Sequence, residues 1–138
     1  MSLKFGTDGV RGVANDELTP ELVLALGRAA ARVLGTSQPF VVGRDTRESG
    51  PGLQHALASG LVTEGATVVD LGVVPTAAVA HAGAARAAPG AMVSASHNAF
   101  ADNGIKLFTA GGRKLSDAVQ NEVESALAVV LALSLIHI

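Results

Sequence analysis

The sequence predicts an α/β protein, a three-layer α/β/α domain with a small mixed sheet. Three observations carry that prediction. Short apolar runs of strand length recur at Phe40 to Val42, Thr67 to Leu71, the run ending at Met92-Val93, and Ile105 to Thr109. The longer stretches between them place apolar residues at helical spacing. Glycine and proline punctuate the junctions.

Composition sets the outer limits. A chain of 138 residues makes one ordinary domain that buries about two thirds of its unfolded surface. Apolar residues at 49% against 16% charged exclude a disordered chain. A net charge of −2 gives no reason to propose nucleic acid or an acidic membrane surface, so neither is expected as a partner. The lack of cysteine excludes a disulfide framework and thiolate metal sites. The start, Met1 to Lys4, lacks the apolar core of a signal peptide, and a cytoplasmic location is expected.

Taken in order, Leu3 to Phe5 reads as a short strand, followed by a glycine-rich turn over Gly6 to Gly12 that exposes Thr7, Asp8 and Arg11. Thr19-Pro20-Glu21 reads as a helix start: an N-cap, a proline at the first helical position and an acid in the first turn. That helix buries Leu22, Leu26, Ala29, Ala30 and Val33 on one face and stops at Gly35. Phe40 to Val42 then delivers Gly43-Arg44-Asp45-Thr46-Arg47 to a loop at a strand's carboxyl end, where open α/β sheets place ligands. Two readings of Arg44 and Arg47 stand, direct catalysis and a solvated loop with an internal Arg-Asp pair. Ser49-Gly50-Pro51 opens a second helix with Leu53, Leu57 and Leu61 four apart, ended by Gly65.

Thr67 to Leu71 is the next strand, and Gly72 to Thr76 turns the chain into an alanine-rich helix ending near Ala85, with His81 a surface or interface residue of it. After Pro89-Gly90 a strand leads to Ser94-Ala95-Ser96-His97-Asn98. Asp102-Asn103-Gly104 then precedes the strand Ile105 to Thr109 and the turn Ala110-Gly111-Gly112. The last helix begins near Ser116-Asp117, with Gln120 completing a capping box with Asp117. Val119, Val123, Ala126, Leu127 and Val130 form its buried stripe.

The stretch from Ser94 to Lys106 is the candidate site. Its residues are small, hydroxylated, amide-bearing or charged, and two apolar runs flank them, so they are expected to bend and face a ligand. A serine becomes a phosphoryl carrier only where donors and cations hold a phosphate's charge. His97, Asn98 and Lys106 are such donors, and Ala95 and Gly104 let the backbone approach closely. On composition alone, a merely polar turn explains the segment as well. A Ser-His-Asp triad fits poorly because Ser96 and His97 are adjacent. One histidine with Asp102 makes no metal ligand set.

Four stretches in fixed order carry a family resemblance: Phe5-Gly6-Thr7-Asp8-Gly9-Val10-Arg11-Gly12, Val42-Gly43-Arg44-Asp45-Thr46-Arg47, Gly72-Val73-Val74-Pro75-Thr76, and Ser94 to Asn98 with Asp102 to Lys106 behind it. Together they resemble the first of the four domains of the alpha-phosphohexomutases, over essentially residues 3 to 130. The opening is similar to the branch acting on glucosamine phosphate. The resemblance implies an intramolecular phosphotransferase. In it Ser96 is a phosphoserine that exchanges phosphoryl groups with a hexosamine phosphate through a hexosamine bisphosphate, converting the 6-phosphate to the 1-phosphate. It implies catalytic roles for Lys106, His97 and Arg11, with Lys106 also a proton-transfer group at the sugar hydroxyl. It implies supporting roles for Thr7, Asp8, Asn98, Asn103 and Gly104. It also implies Mg2+ bound through the phosphate on Ser96, with the other ligands in an aspartate-rich loop of the second domain, and domains 2–4 of the same enzyme as partners. Alternatives are a branch acting on mannose or glucose phosphates, or a non-catalytic phosphate-binding module. The chain departs from the family's usual proline at Ala99 and at Ala77, which implies altered loop order without loss of a chemical group.

The expected domain spans residues 1–132. The hexapeptide Leu133-Ser134-Leu135-Ile136-His137-Ile138 matches what a transposase adapter end used in sequencing libraries encodes, so residues 133–138 are expected to be a non-native tail. The apolar end is too short to span a bilayer. A fragment of this extent is expected to be inactive alone.

Overall fold

The computed structural model describes residues 9–95 and 99–136, with side chains described as far as residue 133. Leu3 to Phe5, Thr7, Asp8, Ser96, His97, Asn98, His137 and Ile138 lie outside the described residues.

The first helix, α1 (Pro20–Leu34), starts where the capping chemistry predicts: Thr19 Oγ1 accepts the Leu22 N–H at 3.2 Å, and Pro20 occupies the first turn. Leu22, Leu26, Ala29 and Ala30 are buried as expected, while Val33 is only half-buried. Gly35 ends the helix at φ 93°, ψ 164°, a positive-φ stop outside the left-handed helical region. The second helix, α2 (Gly50–Thr63), buries Leu53, Leu57 and Leu61. Ser49 precedes it without capping through its side chain; that hydroxyl is used elsewhere. The third, α3 (Thr76–Arg86), runs past the expected end by one residue, with His81 exposed. The fourth, α4 (Asp117–Ile136), is capped one residue earlier than predicted. Ser116 Oγ accepts the Val119 N–H and Ser116 O accepts the Gln120 N–H, so Ser116 and not Asp117 holds the capping position. Its helical backbone continues without a break through residues 132 and 133. In its stripe Val123 and Val130 are fully buried, and Val119, Ala126 and Leu127 partly so.

The strands are β1 (Val10–Val13), β2 (Phe40–Arg44), β3 (Val68–Val73), β4 (Gly90–Val93), β5 (Asp102–Thr109) and β6 (Arg113–Lys114). They form one mixed sheet in the order β1-β5-β4-β2-β3, with β6 also on β5. β2 runs parallel to β3 and β4, and β5 runs antiparallel to β4, β1 and β6. The helices sort to two sides. Phe40, Val42, Ala91, Val93, Ile105 and Leu107 pack with residues of α1, α2 and α4. The alternate residues Val41, Met92 and Phe108 pack with Val79 of α3. The predicted three-layer α/β/α architecture is the one found.

Three corrections concern strand ends. The glycine turn expected through Gly12 gives way to β1 from Val10 onward, because Val10 to Val13 pair with Ile105 to Asp102. Asp102, Asn103 and Gly104, expected in a bend facing a ligand, are the first residues of β5 for the same reason, and Asn103 and Gly104 are buried. Gly72 and Val73, expected in a turn, extend β3. There a bulge opposite Val42/Gly43 puts Gly72 at φ +71°, a conformation that suits glycine. In each case pairing with a distant strand overrides local turn chemistry.

Candidate active site

The sheet brings the carboxyl ends of the parallel strands β2 and β4 side by side. The ladder continues past both: Asp45 N–H donates to Val93 O at 3.1 Å, and Ser94 N–H donates to Gly104 O at 2.9 Å. The serine loop therefore leaves β4 at the edge where α/β sheets bind ligands and returns into β5.

Two predicted cationic residues flank that exit on one face. Arg11 of β1 stands directly opposite Gly104 of β5, and Lys106 lies two residues further along β5, opposite Met92 of β4. Directly opposed residues share a face, and Met92 and Phe108 face α3. Gly104, Lys106 and Arg11 are thus on the α3 side, in the part of the sheet beyond the strands that α3 packs on, β2 and β4. Lys106 Nζ sits 5.7 Å from the centroid of the Phe108 ring, within cation–π range, which steers the ammonium along this face. Gly104 is required to be small: a Cβ there would meet Arg11 Cγ at 2.8 Å and the carbonyl oxygens of Val10 and Ser94 at 2.8 and 2.9 Å.

Asn103 is brought to the opposite face. It is fully buried, its Nδ2 donates to Ser49 Oγ at 2.8 Å, and its Oδ1 accepts the Gly104 N–H. Its support is given to the strand, which it ties to the start of α2.

Sequence reasoning missed the group that holds the loop's two ends. Asp45 Oδ2 accepts from Ser94 Oγ at 2.7 Å, and the same carboxylate takes Arg47 through its backbone N–H and through Nε at 3.3 Å. Arg47 Nη1 then donates to Ala99 O at 2.6 Å and Asp102 O at 3.0 Å. The internal Arg-Asp pair weighed for this loop is present, but only its aspartate is partly solvated, since Arg47 is 8% exposed. The available signal was topological: adjacent parallel strands put the residues after Val42 and after Val93 together. Arg44 has another task. It donates to Gln54 Oε1, whose Nε2 donates to Asp70, and Asp70 also accepts the Gly72 N–H. The Gly72 and Gln54 hydrogen bonds, in that order, hold the Asp70 carboxyl below its ordinary range.

Among the described residues, no three histidine or carboxylate side chains converge as metal ligands. Asp45 is committed to Ser94 and Arg47, so the described residues do not by themselves form a magnesium site. No helix among them is long and apolar enough to cross a membrane.

The described site is thus an α/β/α domain whose strand ends open a serine-bearing loop, with an arginine and a lysine on the adjoining face. Residues 2–130 match the family described as phosphoglucomutase/phosphomannomutase, alpha/beta/alpha domain I. The chain belongs to that family. It is 55% identical over 133 residues to a phosphoglucosamine mutase of Saccharopolyspora erythraea, covering 92% of this chain and 30% of the relative. It is 54% identical over 130 residues to one of Mycobacterium leprae, covering 90% and 28%. A crystal structure from Thermus thermophilus superposes with a TM-score of 0.84 at 33% identity, over 92% of this chain and 30% of that one. A phosphoglucomutase/phosphomannomutase family protein from Burkholderia thailandensis gives 0.74 at 32%, over 91% and 30%. The chain thus spans less than a third of the length of these relatives.

Proposed function

We propose that this chain is the nucleophile-bearing part of a phosphoglucosamine mutase, a cytoplasmic isomerase that works by intramolecular phosphotransfer. The observation that carries the reading is the 55% identity to a relative of that name over nearly the whole chain. Ser96 carries a phosphoryl group and gives it to the free hydroxyl of glucosamine 6-phosphate. The serine oxygen–phosphorus bond breaks as the sugar oxygen–phosphorus bond forms. The bisphosphate turns over, its other phosphoryl group returns to Ser96, and glucosamine 1-phosphate leaves.

Each residue has a task in that cycle. Arg11 holds phosphoryl oxygens with a planar, permanently charged group. Lys106 and His97 stabilise the charge that builds on the transferring group, and Lys106 exchanges the proton of the sugar hydroxyl. Thr7, Asp8 and Asn98 support the loop, and Gly104 keeps Arg11 close to it. Magnesium is the metal this reading calls for, which would be held through the phosphate on Ser96 and otherwise by the second domain; when bound it would supply neutralising charge. Positioning and electrostatics supply most of phosphoryl-transfer catalysis, so turnover needs domains 2–4.

A second reading, a phosphoglucomutase or phosphomannomutase, draws on the name of the Burkholderia thailandensis neighbour. Assaying the complete protein on glucosamine, glucose and mannose phosphates separates the two. A clear preference for glucosamine 6-phosphate is expected, and a preference for mannose or glucose phosphate overturns the first reading.

A further inference from the structure

The described ends of the serine loop are held from the neighbouring strand. One carboxylate–guanidinium pair, Asp45 with Arg47, reaches residue 94 on one side of the loop and residues 99 and 102 on the other. The segment between the anchored residues is only Ala95 to Asn98. Holding both ends of a short span is a general way to narrow the conformations open to a chain.

We infer that Arg47 is a positioning residue that acts through the serine loop, with Asp45 as its anchor, and that it sets the approach of Ser96 to the sugar phosphate. The inference rests on the mutase reading for its catalytic consequence, although the geometry does not. Three properties of Arg47 favour this role over a generic surface ion pair. It is nearly buried, so its bonds are little weakened by competing water. Its acceptors include two backbone carbonyls of the loop, which report loop conformation rather than side-chain charge. Its planar fork serves a carboxylate through Nε and both carbonyls through Nη1, a geometry that a lysine's single ammonium cannot reproduce. This holding point also sits where the usual family proline is replaced by Ala99, whose carbonyl is one of the two acceptors.

The test is carried out on the intact protein with Arg47→Ala, Arg47→Lys and, as a control, Arg28→Ala. Arg28 of α1 pairs with Glu64 at the carboxyl end of α2, the end opposite to Ser49, which meets Asn103. Amide exchange is measured for the peptide spanning 94–102, and kcat and KM are measured for glucosamine 6-phosphate. Arg47→Ala is expected to speed exchange in that peptide and to lower kcat about 10²-fold, the scale of an ångström-level misplacement, with KM within about threefold. Arg47→Lys should recover only part of both, and Arg28→Ala should change neither. Unchanged loop exchange in Arg47→Ala overturns the inference, as does a kcat loss equal to that of the control. Faster loop exchange together with wild-type turnover in Ser96→Ala would uphold the clamp and overturn the mutase reading instead.

Discussion

Gly104 lies directly beneath the Arg11 side chain: the two are opposed across β1 and β5, and a Cβ on Gly104 would stand 2.8 Å from Arg11 Cγ. Two of the other atoms it would meet are backbone carbonyl oxygens, of Val10 and Ser94, which cannot swing aside as a side chain can. Gly104→Ala is therefore expected to destabilise the protein by about 1–3 kcal/mol, the usual range for overpacking, and to displace Arg11. Denaturant unfolding checks the first effect; a midpoint equal to wild type would show that the strand pair relaxes freely.

Arg11 and Lys106 share the face beside the serine loop, so removing either charge should cost catalysis more than folding. Arg11→Ala and Lys106→Ala are each expected to lower kcat about 10²-fold or more if they act in the transition state, with little change in unfolding midpoint. Steady-state kinetics on the intact protein decide this. An unchanged rate for either would show that its charge plays no part in the transition state.

The crossing of α1 and α2 has no room for a side chain. Gly60 packs its α-carbon on the backbone of Leu24 and Arg28, and Gly27 packs likewise on Leu57 and Leu61. Alanine gains up to about 1 kcal/mol of helix propensity over glycine, but here the added Cβ meets backbone. Gly60→Ala should therefore lose stability by about 1–3 kcal/mol net, read as a lower thermal midpoint. A raised midpoint would mean that the helices separate at no cost.

Asp70 gives an acid-sensitive contact. Its carboxyl is held below its ordinary value of 3.8 by the Gly72 N–H and by Gln54. A depressed folded-state pKa contributes stability that is complete above the unfolded value and is lost as pH falls through the lower folded value. The stability of wild type relative to Asp70→Asn should thus hold constant well above pH 3.8 and fall below it. Urea unfolding across that range measures it, and a parallel pair of curves would count against the contact.

The parts legible in the sequence were those decided locally. Thr19 and Pro20 announce α1, the leucine spacing announces α2, and the glycines at 111 and 112 announce a turn; each rests on contacts within a few residues. The parts that were not legible depend on distant partners. Asp102 to Gly104 look like a polar bend because nothing nearby shows that β1 will pair with them. Asn103 looks like a ligand-facing amide until Ser49 is brought to it. Arg47 looks like a surface charge until β4 lies beside β2. Burial of a polar side chain was the common thread, and periodicity does not reveal it.

The most direct measurement is intact mass with fragmentation on the complete protein after incubation with a hexosamine bisphosphate, paired with turnover in Ser96→Ala. The mutase reading predicts one phosphoryl group, located on Ser96, and a folded variant with neither the group nor turnover. A wild-type protein that carries no phosphoryl group on Ser96, or a Ser96→Ala variant that still converts glucosamine 6-phosphate at the wild-type rate, would contradict it.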